Sequence, residues 1–294
     1  MKVGIVYPQT ETRGDPDAVG AIARAAEEFG FSSLLIPDHP VGADPTDRTP
    51  PLLGPYTERD TFHDPILMFG YLAAITSRIE LVTGVLILPE RQTALVARQI
   101  ADADILSQGR IRLGVGIGWN HVEYAVLGQD FRARGARLDE QLQLLRELWR
   151  SPLVTFDGRF HTLDRACINP RPTREIPIYL SGNSEPAYRR AAREATGFIF
   201  AGDVGQSIQG IGRMREHLEE AGRGDEDFGF EIMLSDADIP ERIAEHAAQW
   251  REGGGTQVDV ISVRRGFKGP DEHVDHFRSV SDLLGLVDGV ATRL

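Results

Sequence analysis

The sequence has very little cysteine, little lysine and no long apolar run. Cys167 is the single cysteine among 294 residues, so no intrachain disulfide can form, and a reducing cytoplasm is the expected compartment. Acidic residues outnumber lysine and arginine by 44 to 32, which gives a formal net charge of −12. This balance argues against nucleic-acid binding, which requires a basic face, and against adhesion to anionic membranes. No apolar run approaches the roughly 18 residues of a transmembrane helix, and the opening MKVGIVYP reads as a strand rather than a signal peptide.

Eight apolar segments of strand length alternate with segments of helical periodicity. The strand-like segments are VGIVYP, SSLLIPD, IELVTGVLIL, RIRLGVGIG, IPIYLSG, GFIFAG, FGFEIML and VDVISV. Strands that alternate with helices form parallel sheets, and eight such units in 294 residues are typical of a (β/α)8 barrel. We therefore predict an α/β fold, a TIM barrel forming one domain over residues 1–294; a doubly wound open sheet is the alternative. Residues 151–175 break the alternation and are predicted to be an insertion.

The second predicted strand ends in Asp38 and His39, which a barrel would place at its functional face. Active sites of such barrels lie at the C-terminal ends of the strands and in the loops that follow them. A carboxylate and an imidazole at this place can serve as general acid and base. The alternative is a histidine that only hydrogen-bonds a neighbouring loop. The first strand carries no histidine pair, so no metal site is predicted.

Small residues end the fifth predicted strand, where Ser181, Gly182, Asn183 and Ser184 precede a helical segment. The free N–H groups and the positive dipole end of a helix N-terminus bind anions, and small side chains leave the approach open. We predict a phosphate site here. Ordinary capping by Asn183 or Ser184 is a compatible alternative.

The segment GVGIGWN looks like a dinucleotide-binding motif, but its spacing is wrong for one. Gly114, Gly116 and Gly118 are two residues apart, so on a strand they share one face. A dinucleotide fingerprint needs its third glycine at the start of a helix, and the next strong helical pattern begins only near residue 134. If the glycines face the barrel interior, they would leave space for a flat ring near the mouth. Gly84, in the middle of the third strand, indicates a bulge or a close backbone approach.

Several segments, in this order and spacing, resemble the bacterial luciferase-like superfamily, in particular its branch of deazaflavin-dependent (coenzyme F420) oxidoreductases. They are LLIPDHP, ITSRIELVTGVLILPERQTALVARQIADADILSQGRIRLGVGIGWNHVEYAVLG, FRARGARLDEQLQLLRELW, FDGRFHTL and IPIYLSGNSEPAYRRAAREATGFIF. The resemblance implies a luciferase-like barrel, often a homodimer, with the deazaflavin in its mouth and hydride transfer to or from a small organic substrate. An FMN-dependent monooxygenase, using O2 and reduced FMN from a partner reductase, is the alternative. A metal-dependent hydrolase and a non-catalytic cofactor-binding barrel remain as further alternatives.

The resemblance also implies roles for individual residues. Gly84–Val85 matches a non-proline cis peptide that presses on the back of the ring, and His39 is the candidate that polarises or protonates the substrate. Sugar-phosphate dehydrogenases of the branch carry a proton-donating glutamate where this chain has Trp119, and Glu123 lies four residues further on. Their reaction is therefore not expected here, and Trp119 is interpreted as a substrate-facing wall. The predicted catalytic residues are His39, Asp38 and Trp119, and the predicted cofactor-binding residues are Asp38, His39, Thr83, Gly84, Val85, Gly116, Trp119, Ser181, Gly182, Asn183, Ser184 and Gly202.

Overall fold

The structure is a computed structural model that describes residues 1–234 and 239–287. The strands are β1 (Lys2–Val6), β2 (Ser33–Ile36), β3 (Glu80–Thr83), β4 (Leu86–Ile87), β5 (Ile111–Gly116), β6 (Val154–Asp157), β7 (Thr162–Ala166), β8 (Ile178–Ser181), β9 (Gly197–Ala201), β10 (Gly229–Leu234) and β11 (Gln257–Ile261). The α-helices are α1 (Pro16–Glu28), α2 (Pro65–Ile75), α3 (Thr93–Leu106), α4 (His121–Val126), α5 (Arg134–Arg150), α6 (Glu185–Glu194), α7 (Val204–Glu220), α8 (Pro240–Glu252) and α9 (Pro270–Leu284). The predicted domain 1–294 also includes residues 235–238 and 288–294, which lie outside the described residues.

Eight parallel strands close into a ring in the order β3, β2, β1, β11, β10, β9, β8 and β5. The ring closes where β3 pairs with β5, through Leu81 opposite Ile111 and Val82 opposite Arg112. This closure confirms the TIM barrel and excludes the open sheet. The strands are buried on both faces, which explains their nearly continuous apolar sequences. Across the described residues, the helices lack the combined length and apolar character needed to cross a bilayer.

Capping residues fix where the first helices begin. The side chain of Asp15 accepts a hydrogen bond from the amide of Asp17 at the start of α1. Asp64 does the same for Ile66 and Leu67 at the start of α2. Both helices then open with proline, whose missing N–H costs nothing at the first helical position. The Asp64 cap holds the end of the long β2–α2 loop, which covers the mouth of the barrel.

The segment 151–175 departs from the βα alternation, in agreement with the prediction. It contains the antiparallel hairpin of β6 and β7. His161 anchors this hairpin: its Nδ1 lies 2.7 Å from the Glu140 carboxylate on α5, and its Nε2 lies 2.6 Å from the Thr93 hydroxyl on α3. The insertion is therefore bound to the helices that flank the barrel's third and fourth units.

Near the mouth, the structure confirms the bulge predicted at Gly84 and corrects the prediction in one loop. The predicted third strand is interrupted between β3 and β4, where the Gly84–Val85 peptide is cis, as the resemblance implies. Helix α4 lies in a stretch where no helix is predicted. It is a short helix capped by Asn120, whose side chain accepts from the amide of Val122. Six residues give too little periodicity to stand out in sequence, although the cap itself is visible.

Candidate active site

The glycines of β5 make room for the interrupted neighbouring strand. The hydroxyl of Thr83 donates to the carbonyl of Gly114 over 2.6 Å, and a Cβ on Gly114 would overlap the carbonyl oxygen of Thr83. A Cβ on Gly116 would lie 2.8 Å from Cγ2 of Val85. Gly118 lies beyond the strand with a positive φ of 65°. The expectation that these glycines leave open space for a ring is therefore wrong at Gly114 and Gly116, because the Thr83–Val85 bulge occupies that space.

His39 forms a pair with a buried glutamate just above the barrel. Its Nδ1 lies 3.1 Å from Oε1 of Glu123, whose side chain is 1% exposed. The same oxygen accepts a long hydrogen bond of 3.5 Å from the amide of Val41. Because Glu123 engages Nδ1, Nε2 is the nitrogen left to exchange a proton with a ligand. A His–Glu pair of this kind can deliver or accept a proton at one defined atom.

Aromatic rings surround His39 on its other sides. The ring centroids of Tyr56, Phe62 and Trp119 lie 4.8, 5.0 and 5.7 Å from that of the imidazole. The indole of Trp119 packs directly onto Gly54, where a Cβ would overlap it. Burial raises the pKa of the Tyr56 phenol, which therefore stays protonated at neutral pH. The β2–α2 loop thus packs aromatic rings against the imidazole, and Trp119 completes this aromatic cluster.

The Asp38 carboxylate is engaged with Arg91 and not with His39, and its predicted catalytic role stays a prediction. Its carboxylate is buried and pairs with the guanidinium of Arg91, with an O–N distance of 2.7 Å. Its second oxygen accepts from the amide of Ile87 over 3.1 Å and from Nε of Arg91 over 3.3 Å. Burial raises the pKa of Asp38, and the charge of Arg91 only partly opposes this effect. Burial lowers the pKa of Arg91, but the charges of Asp38 and Asp64 outweigh it, so that the pKa of Arg91 is raised. Asp38 therefore positions the segment after the bulge.

Glu123 is a candidate site residue to which the sequence assigns no role, and the structure places it against His39. It stands three residues after the helix cap Asn120, a spacing typical of a capping box. In the structure its carboxylate faces His39 rather than the amide of its own cap. Trp119 stands where the sugar-phosphate dehydrogenases of the branch carry a glutamate, but α4 brings the carboxylate of Glu123 to the histidine. The N-x-x-E spacing could have indicated the helix from the sequence. The contact of Glu123 with His39 could not be predicted in this way, because the two residues are 84 positions apart.

The residues predicted to bind phosphate line a cavity of about 140 Å³ between β8 and α6. Its lining comprises Ile117, Leu138, Leu180, Ser181, Gly182, Asn183, Ser184, Ala187 and Arg190. Ser184 is the N-cap of α6 but its side chain makes no capping hydrogen bond. The Ser181 hydroxyl instead donates to the carbonyl of Ile199 over 2.8 Å. Gly202 follows β9 with a positive φ of 104° and does not line this cavity.

The charges around this cavity are arranged to tolerate an anion. Arg190 contributes a buried guanidinium, held by Asp139 on α5 over 2.6 Å. Glu185, in the first turn of α6, would repel an anion, but it is paired with Arg213 and His217. The hydrogen bond from His217 is the largest effect lowering the pKa of Glu185, and the same bond raises the pKa of His217. The helix N-terminus therefore keeps its positive character toward the cavity.

Across residues 1–234 and 239–287, no cluster of three or more histidine, cysteine or acidic side chains is arranged to hold a metal ion.

Among known proteins, the chain is 30% identical over 308 residues to an F420-dependent glucose-6-phosphate dehydrogenase of Nakamurella multipartita. That alignment covers 94% of this chain and 87% of the relative. The structure of monooxygenase RslO1 from Streptomyces bottropensis matches with a TM-score of 0.78 and 19% identity, covering 96% of this chain and 98% of that one. The coenzyme F420 dependent tetrahydromethanopterin reductase from Methanopyrus kandleri matches with a TM-score of 0.75 and 16% identity, covering 95% and 97%.

The two structural matches establish a shared fold. The family model described as "Luciferase-like monooxygenase" matches the sequence over residues 1–279, which is nearly the whole chain. This range includes the cis bulge, the His39–Glu123 pair and the loop of residues 181–184. The chain therefore belongs to the luciferase-like monooxygenase family.

Proposed function

We propose that this protein is a deazaflavin-dependent oxidoreductase that transfers a hydride between coenzyme F420 and a small organic substrate at the barrel mouth. The observation that carries the proposal is the His39–Glu123 pair, enclosed by aromatic rings above the cis bulge. Hydride transfer to a carbonyl or alkene needs a proton at a neighbouring atom, and the reverse reaction releases one. The F420-dependent relative from Nakamurella multipartita, at 30% identity, supports the choice of cofactor.

Two features of this chain would receive the two ends of the cofactor. The Thr83–Val85 bulge would back the ring, since the glycines of β5 let it stand at the mouth. The loop of residues 181–184, with Arg190 behind it, would hold the phosphate. The cavity and its charge fit such a group, because an anion there meets a helix N-terminus and a buried guanidinium. When bound, the reduced deazaflavin supplies the hydride.

The protein's own residues transfer the proton and exclude water from the site. His39 presents Nε2 to the substrate, while Glu123 fixes the ring through Nδ1 and balances a positive charge on it. Tyr56, Phe62 and Trp119 exclude water around the imidazole and favour a small apolar substrate. Asp38 holds Arg91 and the backbone of Ile87, which keeps the segment after the bulge in place.

FMN is the alternative cofactor, because it has a similar tricyclic ring on the same ribityl phosphate. The residues named above would hold it in the same manner. In that case the protein would be a monooxygenase that depends on a partner reductase.

The experiment is a single-turnover reaction under anaerobic conditions. Protein loaded with reduced deazaflavin is mixed with a panel of aldehydes, ketones and activated alkenes, and reoxidation is followed by absorbance. Reoxidation by one class of acceptor without O2 supports the proposal. Oxygenated product formed only with reduced FMN and O2 would contradict it and establish the monooxygenase.

A further inference from the structure

The β2–α2 loop brings the ring of Tyr56 against His39, but the middle of this loop has few attachments of its own. Its end near α2 is firmly held by Gln9, whose side chain accepts from the amide of His63 over 2.8 Å and donates to its carbonyl over 3.0 Å. Residues 50–60 make a single hydrogen bond to described residues outside the loop. The placement of the Tyr56 ring therefore depends on very few contacts.

That single hydrogen bond comes from Arg264, in the turn after β11. Its Nη2 donates over 2.8 Å to the carbonyl of Pro55, the residue before Tyr56. The neighbouring Gly54 carries the indole of Trp119. Burial raises the pKa of the Tyr56 phenol, and the charge of Arg264 partly opposes this effect, so the guanidinium acts on the ring as well as on the backbone before it. The guanidinium and the indole thus hold three consecutive residues of the loop.

The backbone of Arg264 is itself set up for this contact. Its φ of 64° lies in the left-handed region, which is uncommon for a residue other than glycine. Such a conformation persists only where the surroundings hold it. Here the N–H of Arg264 donates over 2.6 Å to Oε1 of Glu11, in the loop after β1. The other oxygen of Glu11 lies 3.2 Å from Nε2 of the buried His273 on α9. Glu11 therefore ties the turn that carries Arg264 to the loop after β1.

We propose that Arg264 is a positioning residue that holds the β2–α2 loop, and with it Tyr56, against His39. This inference rests on the proposed function for its catalytic meaning. The imidazole is 12% exposed in this arrangement, so the place of the Tyr56 ring decides how much of it water and ligands can reach. Loss of the bond to Pro55 would let the ring move away and admit water to the imidazole. Glu11 acts one step further back, because it fixes the backbone of Arg264.

The test is chemical labelling of the imidazole in cofactor-free protein. Diethyl pyrocarbonate acylates accessible histidines, and mass spectrometry of the peptides gives the rate at His39 alone. In Arg264→Asn, the asparagine tolerates the left-handed backbone and keeps its N–H for Glu11, but it is too short to reach Pro55. We expect labelling of His39 to become about fivefold faster, the scale of one lost hydrogen bond. Arg264→Lys, whose ammonium can donate to the same carbonyl, should restore most of the protection.

Two controls show whether the effect is specific. Arg59→Asn removes an exposed arginine of the same loop, whose ion pair is with its neighbour Glu58, and should leave the labelling rate of His39 unchanged. Within each protein, His161 on the insertion hairpin is the reference, because its side chain is 11% exposed, close to the value for His39. Unchanged labelling of His39 in Arg264→Asn would overturn the proposal. An equal increase in Arg59→Asn, or at His161, would overturn it as well.

Turnover provides a second readout in protein loaded with cofactor. Arg264→Asn should turn over more slowly than wild type, and Arg264→Lys should be close to wild type. Faster labelling of His39 with unchanged turnover would overturn the catalytic meaning of the contact. If labelling responds as expected but no deazaflavin reaction occurs in any variant or in wild type, Arg264 still positions the loop and the proposed function fails.

Discussion

At the scale of single residues, neighbours in sequence have separate tasks. Asp38 and His39 are adjacent at the end of β2, yet the carboxylate turns to Arg91 and the imidazole turns to Glu123. Successive side chains of an extended segment point in opposite directions, so Asp38 faces Arg91 whereas His39 faces the aromatic rings. The sequence indicated that both residues lie at the functional face, but it could not assign their partners, which are 53 and 84 residues away.

Removing the imidazole should impair chemistry more than binding. In His39→Ala we expect turnover to fall by about 10²-fold, the low end for loss of general acid–base catalysis. Glu123→Gln should lower turnover to a smaller extent, because the ring stays in place but loses its negative partner. Steady-state rates and cofactor titrations check this, and cofactor affinity should stay within roughly tenfold. Unchanged turnover in His39→Ala would reduce His39 to a structural residue.

Removing the charge of Asp38 should impair stability more than chemistry. Asp38→Asn leaves the Arg91 guanidinium without its buried partner, and we expect the free energy of unfolding to fall by about 3 kcal/mol. This is the low end for a broken buried pair, because Asp64 still contacts Arg91. The control Asp102→Asn breaks the half-exposed pair with Arg98 and should cost less than about 1 kcal/mol. Denaturant unfolding measures both variants. Equal stability losses would contradict the assignment of Asp38 as a positioning residue.

At the scale of elements, the bulge between β3 and β4 and the glycines of β5 form one unit. The sequence showed both features separately, as a mid-strand glycine and as glycines spaced by two. Their relation was not visible, because it depends on the pairing of strands that are some thirty residues apart. The same holds for α4, whose cap is visible in sequence while the direction of Glu123 depends on the packing of the loop.

A methyl group at the contact between these strands should disturb the bulge. In Gly114→Ala the new Cβ would meet the carbonyl of Thr83, and backbone cannot yield as a flexible side chain can. We expect a loss of about 1–3 kcal/mol, typical of overpacking, together with weaker cofactor binding. Gly212→Ala on α7 is the control, because nothing lies within 4 Å of its Cβ and alanine favours a helix by about 1 kcal/mol. Gly114→Ala protein as stable as wild type would show that the bulge does not need this glycine.

At the scale of the whole molecule, the barrel itself could be predicted from sequence. Eight alternating units impose a local pattern, and strands covered on both faces have continuous apolar sequences. The aromatic cluster around His39 could not be predicted, because Tyr56 and Phe62 lie in a loop without periodicity. Distant residues hold that loop: Trp119 packs on Gly54, and Arg264 donates to the carbonyl of Pro55. The candidate site thus depends on contacts between segments that are far apart in sequence.

The outer surface of α2 suggests where a second copy of the chain would bind. The helix PILMFGYLAAI carries no charge on any face, and Leu67 and Tyr71, one turn apart, are 79% and 45% exposed. Leu95 on the adjoining α3 is 52% exposed. Such patches mark interaction surfaces, and we predict a homodimer through this face.

Light scattering of the purified protein tests this prediction. Wild type should have the mass of a dimer, and Leu67→Glu should have the mass of a monomer. The control Leu153→Glu changes an exposed leucine near the insertion hairpin and should remain dimeric. A monomeric wild type, or a dimeric Leu67→Glu protein, would contradict the assignment.

The choice of cofactor is the central claim, and fluorescence titration tests it most directly. Purified protein is titrated with coenzyme F420 and, separately, with FMN. We predict saturable binding of the deazaflavin at least about tenfold tighter than that of FMN, a difference of about 1.4 kcal/mol. Tight binding of FMN without binding of the deazaflavin would contradict the account.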